Sequence, residues 1–449
     1  MASPIAKHAI IIGAGIAGLT AAKALSAHFE SVTILDRDAL PERPVPRRGT
    51  PQARHVHALL AGGQKALAEL FPGFEQAIEC AGAVRARAGL DVMVERPGYD
   101  PFPQRDLGFD SFCLSRPLLE FMVKRAIERQ ARISVRSHTR VVELLASPDG
   151  ISVIGVLCET AQRQIETIEA DLVVDASGRG GLTLALLEAI GHPKPDETLI
   201  GIDQGYSTAI FEIPDDAPTT WKGVLHMATP PDSSRGALIL PMERGRWIVG
   251  LGGNHGDAPP GDVDGYMAFV KTLRTRTVFN AIRNAKRISD IARFKLPASV
   301  WRHFERLERF PNGLLVIGDS LCRFNPVFGQ GMSVAAQQAC LLSRLIGSRT
   351  GLSDPLVGLA PAFFAETQGL LEAPWATAVS DFVFPETRGD RPADFDTRLQ
   401  YGRALIRLAA HDASVHKILA EVNSLLRPQR ALRDPQLASR ITEIMQILP

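Results

Sequence analysis

The segment that most constrains this chain is its start. The apolar run Ala9-Ile10-Ile11-Ile12 leads into Gly13-Ala14-Gly15-Ile16-Ala17-Gly18 and then into the helix-forming run Leu19 to Leu25. Glycines at G-x-G-x-x-G spacing between a strand and a helix form a phosphate-binding turn. Gly13 allows the tight turn, Gly15 lets backbone approach a pyrophosphate with no Cβ in the way, and Gly18 lets the helix pack close to the strand. The free N–H groups and positive dipole end of the helix start, around Ala17, would hold the anion. A second strand, Ser31 to Leu35, ends in Asp36-Arg37-Asp38, and Asp36 lies 18 residues after Gly18. There an acid accepts hydrogen bonds from a ribose. The block predicts an α/β, Rossmann-type domain binding an adenine dinucleotide, and leaves NAD, NADP and FAD open.

A later segment narrows the choice. Gly313-Leu314-Leu315-Val316-Ile317-Gly318-Asp319 is a buried strand ending in Gly-Asp, followed by Asn325-Pro326, Gly329-Gln330-Gly331-Met332-Ser333 and a helix predicted over Val334 to Ile346. On these residues the chain resembles the FAD-dependent monooxygenase superfamily around p-hydroxybenzoate hydroxylase. The resemblance implies that Asp319 binds the ribityl/ribose region of FAD. It also implies that Pro326, Gly329, Gly331 and Met332 face the isoalloxazine. A helix starting near Gly331 would aim its positive end at the flavin N1/C2=O edge and favour reduced flavin.

Two further segments agree with that resemblance. Asp171 to Gly180 is similar to the family's middle strand ending in Asp-x-x-Gly-Arg, with Asp175 and Arg179. Ser115-Arg116-Pro117-Leu118-Leu119-Glu120 resembles the step whose arginine, Arg116, reaches the FAD phosphates, a task for an always-charged fork. The loop Arg47 to Leu60 carries Pro-Gln-x-Arg-His-x-His and resembles the bacterial FAD epoxidases of polyene or polyketide chains more than the phenol hydroxylases. It makes Arg54 an expected phosphate or flavin contact and His55 and His57 weak catalytic candidates; hydrogen bonding that merely orients the loop explains the two histidines equally well. A metal site is not expected, since i, i+2 residues on a strand point to opposite faces and no third ligand clusters with them.

The expected organisation is discontinuous. Residues 5–65, 106–199 and 298–347 make an FAD-binding domain, 66–105 and 200–297 an inserted mixed β-sheet substrate domain, and 348–449 a C-terminal helical region. Trp221, Trp247 and Phe211 fall in the inserted sheet, where core packing is a better reading than a pocket lining. Gly250-Leu251-Gly252-Gly253 runs into a loop, so no second dinucleotide fingerprint is found. Near the end, Leu408, Val415, Leu419, Val422 and Leu426 fall on one helical face, and seven Arg/Lys between residues 398 and 433 face two acids. This predicts an amphipathic helix packed on the body of the protein, with membrane association unlikely.

Composition sets the remaining bounds. Fifty Lys+Arg against 49 Asp+Glu leave a net charge of +1 over 449 residues, with no field to recruit nucleic acid. Five scattered cysteines without a C-x-x-C pair suit a reducing, cytoplasmic setting rather than a disulfide framework. The glycines interrupt the one run, Ala9 to Ala22, that could pass for a secretory signal.

The expected activity is a flavin monooxygenase inserting one oxygen atom of O2 into a hydrophobic polyene, polyketide or aromatic substrate by way of a flavin C4a-hydroperoxide. NAD(P)H docks transiently as electron donor, or a separate flavin reductase supplies the electrons. His226 and His255 read as solitary, so no base is evident in the substrate region, which favours epoxidation over phenol hydroxylation. The rivals are an FAD-dependent reductase or a non-redox FAD-bound cyclase. A halogenase is disfavoured because no tryptophan lies in W-x-W-x-I-P.

Overall fold

The computed structural model describes residues 4–447, with the side chain of Ile447 excepted. The opening block folds as β1 (Ala6–Ile12), α1 (Ile16–Leu25) and β2 (Phe29–Leu35). Helix α1 starts three residues before the predicted Leu19, since its first turn is built on the glycine loop itself. Next come α2 (Ala61–Leu70), α3 (Phe74–Cys80), β3 (Val84–Arg87), β4 (Val92–Glu95), β5 (Asp110–Cys113), α4 (Arg116–Glu128) and β6 (Ile133–Arg136). Strands β7 (Arg140–Ala146), β8 (Val153–Glu159) and β9 (Ile165–Glu169) form an antiparallel meander before β10 (Leu172–Asp175) and α5 (Gly181–Ala189).

The first sheet has the order β16-β10-β1-β2-β6, where β16 is Leu314–Val316, and all its pairs are parallel. Parallel strands are covered on both faces, which is why they read as unbroken Ile/Val/Leu runs. Ile11, Val32 and Val174 face one core with α1, while Ile10, Leu35 and Val173 face another with the β7–β9 meander.

The inserted unit contains β11 (Glu197–Glu212), β12 (Gly223–His226), β13 (Gly236–Met242), β14 (Arg246–Gly253), α6 (Val263–Lys271), α7 (Thr277–Ile282) and β15 (Ala292–Arg302). With β17 (Cys322–Arg323) these make a seven-stranded sheet of order β17-β15-β11-β14-β13-β12-β4. Every pairing in it is antiparallel except β12 with β4. Alternation divides its faces. Phe211, Trp221, Val224, Trp247, Val249 and Leu251 pack under α6 and α7, with the rings of Trp221 and Trp247 stacked 5.6 Å apart. The tryptophans are therefore core, as core packing required. The opposite face carries Thr208, Leu225, Leu238, Gly250 and Gly252 and bounds the main cavity.

The C-terminal part holds α8 (Gly331–Ser348), α9 (Leu359–Val379), α10 (Phe395–His411), α11 (Ala413–Asn423) and α12 (Pro435–Ile447). Helix α8 starts at Gly331, where the glycine turn is expected to open a helix, three residues ahead of the apolar run from Val334. Two expectations need correction. Leu408 and Val415 do not share a helix, because Asp412 ends α10 and caps α11, its carboxylate accepting from the N–H groups of Ser414 and Val415. And a boundary at 65/66 falls inside α2, whose buried Ala66, Leu67 and Leu70 belong to the same core as α1 and α8. Val415, Leu419, Val422, Leu432, Leu437 and Ile441 are buried in that core too. Among the described residues no helix is long and apolar enough to cross a membrane.

Candidate cofactor and substrate site

A cavity of about 1980 Å³ runs between the two sheets. Gly13, Gly15, Ala17, Asp36, Arg37, Arg116, Asp319, Pro326, Gly329, Gly331 and Met332 all border it. Residues some 300 positions apart in the chain thus meet on one wall, because β1 and β16 flank β10 in the parallel sheet.

Each glycine of the opening loop has a distinct reason to be glycine. Gly13 has φ +101°, and a Cβ there would lie 2.8 Å from the carbonyl oxygen of Ala176. At Gly18, which lies in α1 behind the cavity wall, a Cβ would run into the Gly13 carbonyl. At Gly15 a Cβ would meet nothing within 4 Å, because that position opens into the cavity beside the α1 N-terminus. The loop is held by Asp36, whose carboxylate accepts from Ala14 N–H at 2.7 Å and Asp38 N–H at 2.8 Å.

A buried ion network extends from Asp36. Arg47 Nη1 donates to both Asp36 oxygens at 3.1 and 3.0 Å and to Asp38 at 3.1 Å, and its Nε lies 3.6 Å from Glu120. Arg116 donates from Nε to Glu120 at 2.9 Å and from Nη1 to His57 Nε2 at 3.1 Å. Since an arginine can only donate, His57 Nε2 accepts, and its Nδ1–H donates to the His55 carbonyl at 2.9 Å. Burial and then Arg116 push the His57 pKa down to about 3, and burial lowers His55 to about 4. His55 Nδ1 bonds Thr208 Oγ1 at 2.9 Å, its ring 5.8 Å from Phe294 and 6.2 Å from Tyr206. Both histidines are neutral and held by these hydrogen bonds, which suits a positioning role.

Arg54 is the clearest misplacement. It ends a short 3-10 helix, Pro51–Arg54, in which Ala53 is buried and Arg54 is exposed off the cavity wall. The arginine of this loop that turns inward is Arg47, its side chain only 8% exposed. Its sequence signal was position: it follows two acids that strand β2 delivers to the site. Asp175 is also off the wall, bonded to Ser177 N–H, Thr183 and Ser320 as a turn support, whereas Arg179 reaches the cavity.

At the other end, the N-terminus of α8 and the turn Pro326–Met332 open into the cavity. Asn325 caps that turn, its Oδ1 accepting from Val327 N–H at 3.1 Å and from Tyr206 O–H at 3.0 Å. Its Nδ2 donates to Asp381 at 3.1 Å. Asp381 comes from the segment after α9, is buried with no cationic partner among the described residues, and burial lifts its pKa to about 7. Asp319 projects its carboxyl into the cavity; enclosure raises its pKa while Arg116 and Arg323 pull it down.

The side chains of His226, at the cavity wall, and of His255 are both engaged by protein partners. His226 pairs with Glu95 at 3.1 Å and Thr275 at 3.0 Å on the α7 side of the sheet, and His255 bonds Thr387 at 3.2 Å. Neither is solitary. Asp381 and Asp319 are carboxyls on the cavity wall whose pKa values burial raises, so the cavity does not lack a titratable group. No motif marks Asp381.

Several features fit an adenine dinucleotide. Two helix N-termini open into one cavity, the Gly15 position is clear, and Thr50 Oγ1, Arg323 Nε and Gln330 Oε1 on its wall are buried without a protein partner. Such orphaned polar atoms call for a ligand.

Comparison with known proteins agrees with an FAD-binding fold. A relative, Protein Rv3254 of Mycobacterium tuberculosis (strain ATCC 25618 / H37Rv), is 34% identical over 362 residues, 76% of this chain and 73% of that protein. The structure of PqsL, a probable FAD-dependent monooxygenase from Pseudomonas aeruginosa, matches with TM-score 0.61 and 16% identity over 85% of this chain and 98% of that one. The myxobacterial chondrochloren halogenase CndH matches with TM-score 0.63 and 18% identity over 99% and 97%. At such identities the two structures share the fold alone. The family model described as FAD binding domain matches residues 7–350, and this chain belongs to that family.

Proposed function

We propose that the protein is an FAD-dependent monooxygenase that inserts one oxygen atom of O2 into a hydrophobic alkene or aromatic substrate. The observation that carries this reading is the continuity of the cavity, in which the cofactor cradle and the apolar face of the seven-stranded sheet share one space. Bound FAD, once reduced, supplies electrons and activates O2.

The chain's own residues bind, orient and exclude water. The α1 N-terminus and Gly15 take the pyrophosphate, helped by Arg116, and Asp36 takes the ribose. Asp319 would hold the ribityl region, and the α8 N-terminus would offer its partial positive charge to the reduced flavin. Leu225, Met227, Leu238, Phe294 and Leu296 offer the substrate an apolar wall. Asp381 holds a proton near neutrality beside the turn that faces the ring, available to a leaving oxygen or able to accept from a phenol. NAD(P)H is the expected donor, docking transiently; a separate flavin reductase is the alternative source.

The test supplies the FAD-loaded protein with NADPH and a panel of alkenes and phenols under 18O2. Substrate-dependent NADPH oxidation and O2 uptake, with one labelled atom in the product, supports the reading. NADPH oxidation under argon with saturation of a double bond would replace it with a reductase. A rearranged product without redox change would replace it with a cyclase.

A further inference from the structure

The cavity carries far more positive charge than the chain. Thirteen Arg/Lys and six Asp border it, against a net +1 for all 449 residues. That excess is larger than the two charges of an FAD pyrophosphate. Most of these bases have partners or lie open at the rim, and half-buried Arg323 has Asp319 near it, whereas Arg96 has a buried Nε and no acid beside it.

Arg96 follows β4, the sheet edge farthest from β17. The β4–β12 register pairs Val94 with Leu225 and Glu95 with His226. Val94 and Arg96 therefore share the cavity face, and Glu95 points the other way into its bonds with His226, Thr275 and Thr277. The Arg96 guanidinium lies 5.3 Å from the Phe102 ring centroid, has no ion pair or hydrogen bond among the described residues, and its Nε is buried. Burial lowers its pKa, opposed by Tyr99. His416 and Arg105 lie on the same side, His416 edge-on to the Phe102 ring at 4.6 Å and Arg105 donating to the Ala410 carbonyl at 3.1 Å, and the acids of the flanking loops are engaged elsewhere, Asp232 with Arg274 at 3.6 Å and Asp100 with His411 at 2.9 Å. Thr229 Oγ1, on the same wall, is also buried and unpartnered.

Between Arg96 and Tyr206 beside the flavin-facing turn, the wall is Leu225, Met227, Leu238 and the bare backbone of Gly236 and Gly252. From β4 to β11 there are four strand steps, about 19 Å at the usual spacing.

We propose that Arg96 binds the anionic head, a carboxylate or phosphate, of an amphiphilic substrate whose apolar chain crosses the sheet to the flavin. A guanidinium enclosed in a cavity, with its Nε buried and no ion pair, stays charged at neutral pH and favours an anionic partner, and a forked donor suits a planar carboxylate or a phosphate. The apolar wall sets the tail. The inference rests on the cavity holding flavin and substrate together, and specifies which substrates fit.

The test is binding to FAD-loaded protein in the absence of any electron donor, read by calorimetry and by perturbation of the flavin spectrum. The probes are oleate, oleyl phosphate, methyl oleate and oleyl alcohol. At least one of the two anions should bind at least tenfold more tightly than the two neutral probes, and the tighter of the two names the head. Arg96→Met should remove that preference while leaving methyl oleate affinity and FAD content unchanged, and Arg96→Lys should restore part of it. Equal wild-type affinity for charged and neutral probes, or a preference that survives Arg96→Met, overturns the proposal. The wild-type comparison needs no variant to fold. Because the readout is binding, anion selectivity without O2 uptake would refute the monooxygenase reading alone, and oxygenation of neutral probes without anion selectivity would refute this one alone.

Discussion

Replacing Asp381 by Asn should leave stability near pH 4 almost unchanged and raise it at pH 8. The carboxyl is only 6% exposed, accepts one hydrogen bond from Asn325 and has no cation beside it, so burial lifts its pKa from 3.8 to about 7. The folded state therefore holds this proton more tightly than the unfolded chain does. Between about pH 4 and pH 7 the folded state binds more protons, and stability falls as pH rises through that window and levels off above it. Three pH units at about 1.36 kcal/mol each set an upper value of about 4 kcal/mol. Between pH 5 and pH 8 the wild type should lose about 2–3 kcal/mol that the amide, uncharged throughout, keeps. Asparagine preserves the shape and still accepts from Asn325. The assay is denaturant unfolding of the FAD-loaded wild type and Asp381→Asn across pH 4 to 9. A stability difference that does not grow between pH 5 and pH 8, or an Asn variant less stable at pH 8, would refute the assignment of Asp381 as a buried, unpaired carboxyl.

The glycine loop separates two effects at neighbouring positions. Gly18→Ala, which drives a methyl into the Gly13 carbonyl, should lower stability and FAD content together, whereas Gly15→Val should keep wild-type circular dichroism and unfolding and lose FAD, since its side chain enters only the cavity. Arg47→Met leaves Asp36, Asp38 and Glu120 without their shared cation, and should cost about 3–5 kcal/mol in denaturant unfolding at pH 7, the range for breaking a buried pair. Of the arginines expected to contact cofactor, Arg116→Ala should weaken FAD binding at least tenfold by fluorescence titration and Arg54→Ala should leave it unchanged; equal effects would contradict the outward placement of Arg54.

How much of this was legible in the sequence depends on the distance over which each feature is determined. The cradle was readable because its determinants are local: Gly13, Gly15 and Gly18 act on one turn, Asp36 ends the next strand, and Gly318-Asp319 and Gly329 to Met332 form a second contiguous strand-turn-helix. Parallel strands buried on both faces also leave an unmistakable apolar signature, so the α/β class followed from β1, β2 and β16 alone. Side-chain direction in irregular segments was not local. Within one loop, Arg54 turns to solvent and Arg47 inward, and only packing of Ala53 and the acids around Arg47 decides which. His55 and His57 looked like chemistry until the tertiary contacts with Thr208 and Arg116 occupied their ring nitrogens. Asp381 and Arg96 are common residues outside any motif. Their standing comes from losing water without gaining a charged partner, and that depends on elements far apart in the chain closing over them. The sequence by itself determined the dinucleotide fold and its phosphate turn, whereas tertiary structure alone decided which charges stay unpaired inside the cavity, because desolvation is a property of the whole packed shell.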